Sequence, residues 1–249
     1  MKILIDCDYI VYKCCAAAER EMDFGDDVLV VTSTFSDAMK CVKRDLDRIQ
    51  QDLGSFDDEL ILFFTSPNNF RKKILPEYKG HRQRKKPCGF KRVIQELKKQ
   101  YRVILKDTLE ADDSLGIYAT KFPGNIIVSP DKDMRQIPGK LYDFKETVDI
   151  SPEEGAKWHL IQTMAGDNTD GYAGVPGIGV KKAEKIFEEK GYTWKAVIET
   201  FVEKEMTEED ALVNARLARI LQTSDYDHKT KEPILWTPPS DYTITKQDS

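Results

Sequence analysis

Short runs of consecutive apolar residues alternate along the first two thirds of the chain with stretches whose apolar residues recur every three or four positions. Lys2-Ile3-Leu4-Ile5, Leu60-Ile61-Leu62-Phe63-Phe64, Val103-Ile104-Leu105 and Asn125-Ile126-Ile127-Val128-Ser129 are the runs. An apolar run without polar alternation predicts a strand buried on both faces. Leu141-Tyr142-Asp143-Phe144 reads as a fifth strand, at the edge. Phe35, Met39, Val42, Leu46, Ile49 and Leu53 have helical spacing, with Ser33 or Thr34 as cap. Val93, Ile94 and Leu97 mark a second amphipathic helix, and Leu115 to Ala119 a third. Pro152 to Ala165 follows Ser151 as a capped helix with proline in its first turn. Beyond it only helices are expected, over Trp194–Lys204 and Glu208–Gln222. Residues 21–27 read as a loop and the tail from Thr237 as extended.

This order predicts an α/β fold: a mainly parallel central sheet flanked by helices, followed by a helical C-terminal portion. With 249 residues, 40% of them hydrophobic, the chain can bury a full core. We place a boundary near residue 150, with a core at 1–150 and a helical portion at 151–249.

Charge changes the picture locally. The formal net charge is −5, yet residues 71–92 carry ten basic side chains against the single acid Glu77. Such segregation points to a polyanion. Arg71, Lys79, Arg82, Arg84, Lys85 and Lys86 are candidate contacts, with Tyr78 and His81 placed to stack on bases. Pro76 and Pro87 break the segment into a loop or arch. The five cysteines include no CxxC and the three histidines are scattered, so neither a disulfide framework nor a zinc site is expected. A reducing cytoplasm fits best. The N-terminus is too short and acidic for a signal peptide, and no apolar run approaches the ~20 residues of a membrane span.

The acids carry the chemistry. Asp6 and Asp8 follow the first strand, Glu110, Asp112 and Asp113 open a helix, and Asp131 and Asp133 follow the fourth strand. Asp167 and Asp170 precede the turn Gly174-Val175-Pro176-Gly177-Ile178-Gly179, after which a helix opens at Val180-Lys181-Lys182. One or two acids suit a helix N-terminus, and aspartate is common in turns. In a parallel sheet, however, C-terminal strand ends share one edge, where α/β proteins place their sites. So many carboxylates cannot all ionise together without cations. Oxygen donors favour magnesium or manganese, and two ions ~3.5–4 Å apart can activate water and stabilise a leaving oxygen. Gly174, Gly177 and Gly179 permit close backbone approach, and the following helix offers N–H groups to a phosphate.

The segments LIDCDY, FRKKILPEYKGHR, LEADDSLG, IVSPDKDMRQI and GDNTDGYAGVPGIGVKKAEKI resemble, in order and spacing, the 5′-nuclease superfamily. That family comprises flap endonucleases, the 5′-nuclease domain of bacterial DNA polymerase I and phage 5′-to-3′ exonucleases. The likeness covers residues 1 to about 190. Similarity to the exonucleases of short-tailed coliphages extends to Met206–Asp210, Ala215–Leu221 and Trp236.

The resemblance implies a PIN-like fold and a metal-dependent 5′-to-3′ exonuclease with flap activity on duplex DNA. It implies metal ligands at Asp6, Glu110, Asp112, Asp113, Asp131, Asp133, Asp167 and Asp170, and Lys79 and Arg82 facing the scissile phosphate. Asp6, Asp112 and Asp131 are expected to be catalytic with them. A helix–three-turn–helix over about 160–190 would grip duplex DNA through Gly174, Gly177, Gly179, Lys181 and Lys182, with a potassium ion on loop carbonyls. Residues 71–92 would form an arch over a 5′ strand. Two Mg2+ ions, replaceable by Mn2+, are implied, and a monomer acting in the cytoplasm of a phage's host. Many relatives carry an aspartate just after the second strand, where Phe64 to Asn69 here has no acid. Asp8 is expected to supply that charge; otherwise one metal is held more weakly. Three competing readings are RNase H-like action on RNA/DNA hybrids, a non-catalytic module that recognises branched DNA, and a calcium-binding structural protein, which would leave the basic segment unexplained.

Overall fold

The computed structural model describes residues 1–54, 56–81 and 85–239. Arg82 and Arg84, both expected to contact DNA, lie outside the described residues. In chain order the elements are β1 (Lys2–Asp6), α1 (Cys7–Ala17), β2 (Glu19–Asp23), β3 (Leu29–Ser33), α2 (Phe35–Asp52) and β4 (Glu59–Phe63). Then come α3 (Arg71–Ile74), α4 (Phe90–Gln100), β5 (Arg102–Ile104), α5 (Ala111–Lys121) and β6 (Ile126–Val128). After a 3-10 turn at Lys132–Gln136 follow β7 (Gly139–Tyr142), β8 (Thr147–Ile150) and α6 (Pro152–Ala165). A tiny hairpin of β9 (Gly166–Asp167) and β10 (Tyr172–Ala173) leads to α7 (Val180–Lys190), α8 (Trp194–Val202) and α9 (Glu208–Ala218).

The main sheet has the order β5-β4-β1-β6-β7-β8. All its neighbours are parallel except β7 and β8. The apolar runs follow from burial on both faces. Ile3, Ile5, Leu60, Leu62, Ile126 and Val128 pack on one side beneath α1, α2 and α4. Leu4, Ile61, Phe63 and Ile127 pack on the other, beneath α5 and the 3-10 turn. Ile3, Leu4 and Ile5 are wholly buried, each contributing roughly 1.5–3 kcal/mol. A separate core joins α6 to α9 through Met164, Phe187, Val197, Phe201 and Ala215. Gln136 bonds the two portions: its Nε2 donates to Ala218 O and Gln162 Oε1, both at 2.6 Å, and its Oε1 accepts from Ile220 N at 3.0 Å.

Three expectations need correction. Residues 21–27 are not simply a loop: Glu19–Asp23 and Leu29–Ser33 pair as a hairpin, turned by Asp26 and Asp27 at positive φ. Residues 141–144 are not the edge, because Thr147–Ile150 folds back antiparallel beyond β7. The segment 71–92 is not one exposed arch. Its start is a short helix whose Arg71 is buried while Lys72 and Lys73 stay exposed, and its end is α4, whose Phe90, Val93 and Leu97 enter the core. Helix α1 also went unforeseen, although Cys7, Ile10, Val11, Cys14 and Cys15 bury one helical face.

A backbone crossing places the last pair of acids. Gly166 has φ +66°, and a Cβ there would lie 2.0 Å from Gly174 N. A Cβ on Gly174 would lie 2.2 Å from the Ala165 carbonyl carbon. Gly174 therefore serves this crossing, which presses β9 and β10 against the end of α6. Gly174→Ala should lower stability by about 1–3 kcal/mol through overpacking, read as the urea midpoint. An unchanged midpoint would show that the crossing opens without cost.

Candidate metal centre

Each acidic cluster sits where the fold brings an element end to the C-terminal edge of the sheet. Asp6 ends β1, and Asp8 lies in the first turn of α1. Glu110 is the N-cap of α5, reciprocally bonded with Asp113 as a capping box. Asp131 caps the 3-10 turn, its side chain accepting from Asp133 N at 2.9 Å. Asp167 and Asp170 come from the β9–β10 hairpin, where Asp167 Oδ1 accepts from Thr169 N at 2.7 Å.

Asp6, Asp8, Glu110, Asp112, Asp131, Asp133, Asp167 and Asp170 line one cleft of about 520 Å3. Lys79, Lys86 and Lys132 line it too, with Tyr9 and Thr65. Thr65 and Ser129, which the motifs did not flag, position the acids. Thr65 N–H donates to Asp8 Oδ2 at 2.8 Å, while its hydroxyl accepts from Ala111 N at 3.1 Å. Asp8 thus stands against the acid-free loop after β4. Ser129 Oγ donates to Asp6 Oδ2 at 3.1 Å and accepts from Asp131 N at 3.2 Å. No spacing rule singles out either hydroxyl; only the pairing of β1 with β4 and β6 reveals them.

Lys79 is locked at the wall. Its φ is +56°, uncommon for a side-chain-bearing residue, and its N–H donates to Asp170 O at 2.8 Å. Its ammonium bonds Glu110 Oε1 and lies 3.3 Å from Asp170 Oδ2. The Tyr78 hydroxyl lies 2.7 Å from Asp170 Oδ2 and 3.1 Å from Glu110 Oε2. Tyr78 is 1% exposed, which corrects the expectation that it contacts DNA.

Arg71 and Asp113 are corrected in the same way. Asp113 is fully buried and takes both terminal nitrogens of Arg71, at 2.7 and 2.9 Å. Arg71, 3% exposed, also donates to Leu217 O and Arg219 O at 2.9 and 2.6 Å. Neither residue reaches the cleft; together they fasten the start of α5 to the end of α9. The terminal exposed lysines behave differently. Lys85, Lys86, Lys181 and Lys182 are exposed, and Lys182 Nζ donates to Gly177 O at 2.8 Å. Gly177, at φ +76°, and Gly179 have open space where a Cβ would stand.

Burial and mutual repulsion govern the acids. Burial, then the neighbouring Asp8, pushes Asp6 up to about 7 despite the Ser129 bond. Burial and then Asp131 push Asp133 to about 7. Asp112 is raised well above the usual carboxylate range by burial, then by Asp6 and Asp131. Burial alone would raise Glu110, but Lys79 and Arg71 outweigh it and hold its carboxyl low. Asp133 Oδ1 is buried without a hydrogen-bond partner. An orphan oxygen within an all-carboxylate donor set fits a hard divalent cation. A second hollow of about 670 Å3, beside Trp194 and Trp236, shares none of these residues.

Carboxylates gathered at the C-terminal edge of a parallel sheet, with a lysine fixed against them, define a class: α/β enzymes that cleave phosphodiesters with divalent cations. The model of the 5′-3′ exonuclease N-terminal resolvase-like domain matches residues 1–157, and the chain belongs to that family. The exodeoxyribonuclease of Enterobacteria phage T3 is 27% identical, across 96% of this chain and 93% of its own. The exonuclease of Escherichia phage T7 is 26% identical, across 95% and 93%. The zinc-bound 5′-exonuclease of T5 shares the fold, with TM-score 0.63 at 16% identity over 87% of this chain and 88% of that one. So does the catalytic core of Rad2 in complex with DNA substrate, with TM-score 0.55 at 13% identity over 96% and 84%.

Replacing Arg71 with methionine strands a buried carboxylate and should cost about 3–5 kcal/mol. Adding Asp113→Leu should recover much of that loss in urea unfolding; equal loss in both variants would deny the pairing. The acids predict a pH effect as well. Folded Asp6 and Asp133 keep protons up to about pH 7, against an ordinary value of 3.8. The folded state therefore binds more protons between those values, and stability falls as pH rises through them. In chelator, Tm should drop from pH 5 to 7.5, and saturating magnesium should flatten the drop. A Tm that rises with pH in chelator would contradict the shifts.

Proposed function

We propose that the chain is a metal-dependent 5′-to-3′ exodeoxyribonuclease that also cuts flaps and related branched ends. The supporting observation is the convergence of eight carboxylates with Lys79 on one sheet edge, in a chain of the 5′-3′ exonuclease family. Residues 1–150 act as the catalytic part and 151–249 as the part that grips duplex DNA. Asp6, Asp8, Asp112, Asp131, Asp133, Asp167 and Asp170 hold two Mg2+ ions, replaceable by Mn2+, with Glu110 beside them. Bound there, the ions supply an activated water and neutralise charge developing at the phosphorus.

The chain's own groups do the rest. Glu110 and Asp170 hold Lys79 charged and aimed across the cleft, so its ammonium meets the phosphate without reorganising. Arg82 joins it. Asp8 takes the place of an acid in the loop after β4, because its carboxylate is held at Thr65. At the start of α7, Lys181 and Lys182 with the open backbone at Gly177 and Gly179 meet the duplex phosphates, and the turn carbonyls would hold a K+ ion. Lys85, Lys86 and Arg84 guide the 5′ strand. The substrate is DNA with a free 5′ end, flap or nick, with RNA/DNA hybrids as a secondary substrate, and the protein acts as a monomer in the host cytoplasm. No described helix is long and apolar enough to cross a membrane.

A 3′-labelled duplex with a 5′ flap tests the reading. Magnesium should shorten it from the 5′ side and chelator should stop this. Asp131→Asn should slow cleavage by roughly 10³-fold, about 4 kcal/mol of barrier, with binding retained. Tight binding without cleavage in magnesium or manganese would instead make the protein a recognition module.

A further inference from the structure

A second set of ligand atoms converges away from the carboxylate cleft. Cys14 on α1 and Cys41 and Asp45 on α2 each offer one atom, and the three atoms lie within 4.8 Å of one another. Cys41 and Asp45 are four residues apart, so they share a helix face, and Cys14 meets them across the contact between the two helices. The Cys14 thiol donates to Asp45 Oδ2 at 3.5 Å. All five cysteines are free.

We propose that Cys14, Cys41 and Asp45 form a site for a thiophilic divalent cation, of which zinc is the type. Bonds of ~2.3 Å to sulfur and ~2.0–2.2 Å to oxygen put the ligand atoms of a tetrahedral zinc about 3.6–3.8 Å apart. The set closes on an ion with side-chain movements of about 1 Å, and water fills the fourth position. Donor chemistry separates this site from the cleft. Two sulfurs select zinc, cobalt or cadmium, whereas the cleft offers only hard oxygens.

The charges balance. On binding, both thiols release their protons to solvent. Two thiolates and a carboxylate around a dication leave one negative charge. Lys13 already stands at that spot, with Nζ 2.6 Å from Asp45 Oδ2. Arg44 Nη2 lies 3.3 Å from Cys41 Sγ, but its side chain is 74% exposed and can swing into water. A hollow of about 180 Å3 lined by Tyr9, Lys13, Asp45 and Arg48 opens onto the Asp45 side of the set. The bound ion staples α1 to α2 over one face of the sheet. Helix α1 begins at Cys7, directly after Asp6, and carries Asp8, so the staple stiffens the element that presents the first acids of the cleft.

Cobalt reports the ligands directly. The reduced protein, with its cleft saturated by magnesium, is titrated with Co2+. A thiolate-to-cobalt charge-transfer absorption that saturates at one equivalent is expected, unchanged in Asp131→Asn and lost in Cys41→Ser and Cys14→Ser. Cys41 is only half-buried, so Cys41→Ser decides the matter should Cys14→Ser fail to fold. Zinc at 100 times its dissociation constant should raise the wild-type Tm by roughly 5 °C or more, and that rise should be absent in Cys41→Ser. Absence of the charge-transfer band, or its persistence in Cys41→Ser, would overturn the proposal.

Discussion

The ion pair between Arg71 and Asp113 organises this molecule. Asp113 takes two hydrogen bonds from Arg71 and one each from Glu110 N and Leu221 N. Arg71 spends its remaining donor capacity on Glu110 Oε2 and the carbonyls of Leu217 and Arg219. Three chain segments far apart in sequence meet at one buried charge pair. Because both partners are desolvated, any displacement of one leaves the other uncompensated. The start of α5 is therefore fixed, and Glu110 and Asp112 on either side of Ala111 are fixed with it.

The cleft has the opposite character. Its eight carboxylates outnumber the three lysines that line it, and the fold tolerates this through short polar ties. Thr65 holds Asp8, Ser129 joins Asp6 to Asp131, and the β9–β10 turn holds Asp167. These ties orient oxygens but do not neutralise them. Burial and repulsion instead shift Asp6, Asp112 and Asp133 toward protonation. Such a site is strained toward binding divalent cations, which relieve repulsion that folding alone leaves in place.

Lys79 shows how the basic segment is used. Read linearly, residues 71–92 form one cationic stretch, but the structure divides it by burial. Arg71 and Tyr78 go into the interior, Lys79 lines the cleft, Lys85 and Lys86 stay exposed, and Phe90 begins a core helix. Charge density along the sequence could not separate these fates, because each depends on which distant segment supplies a partner. Asp113 looked equivalent to Asp112 for the same reason.

The parallel sheet, its buried strands, the capped helix α6 and the acidic clusters at element ends are all legible in the amino-acid order. Each is a local signal, set by side-chain period or by the few residues around a cap or turn. Cys7, Ile10, Val11, Cys14 and Cys15 also make a helical face, in which the buried thiols serve as apolar side chains. Folding alone reveals which acids share a cavity, that Asp8 stands at the acid-free loop, that Gly174 serves a backbone crossing, and that Cys14 meets Cys41 and Asp45. Those outcomes depend on burial and on contacts between segments distant in the chain, and neither periodicity nor spacing encodes them.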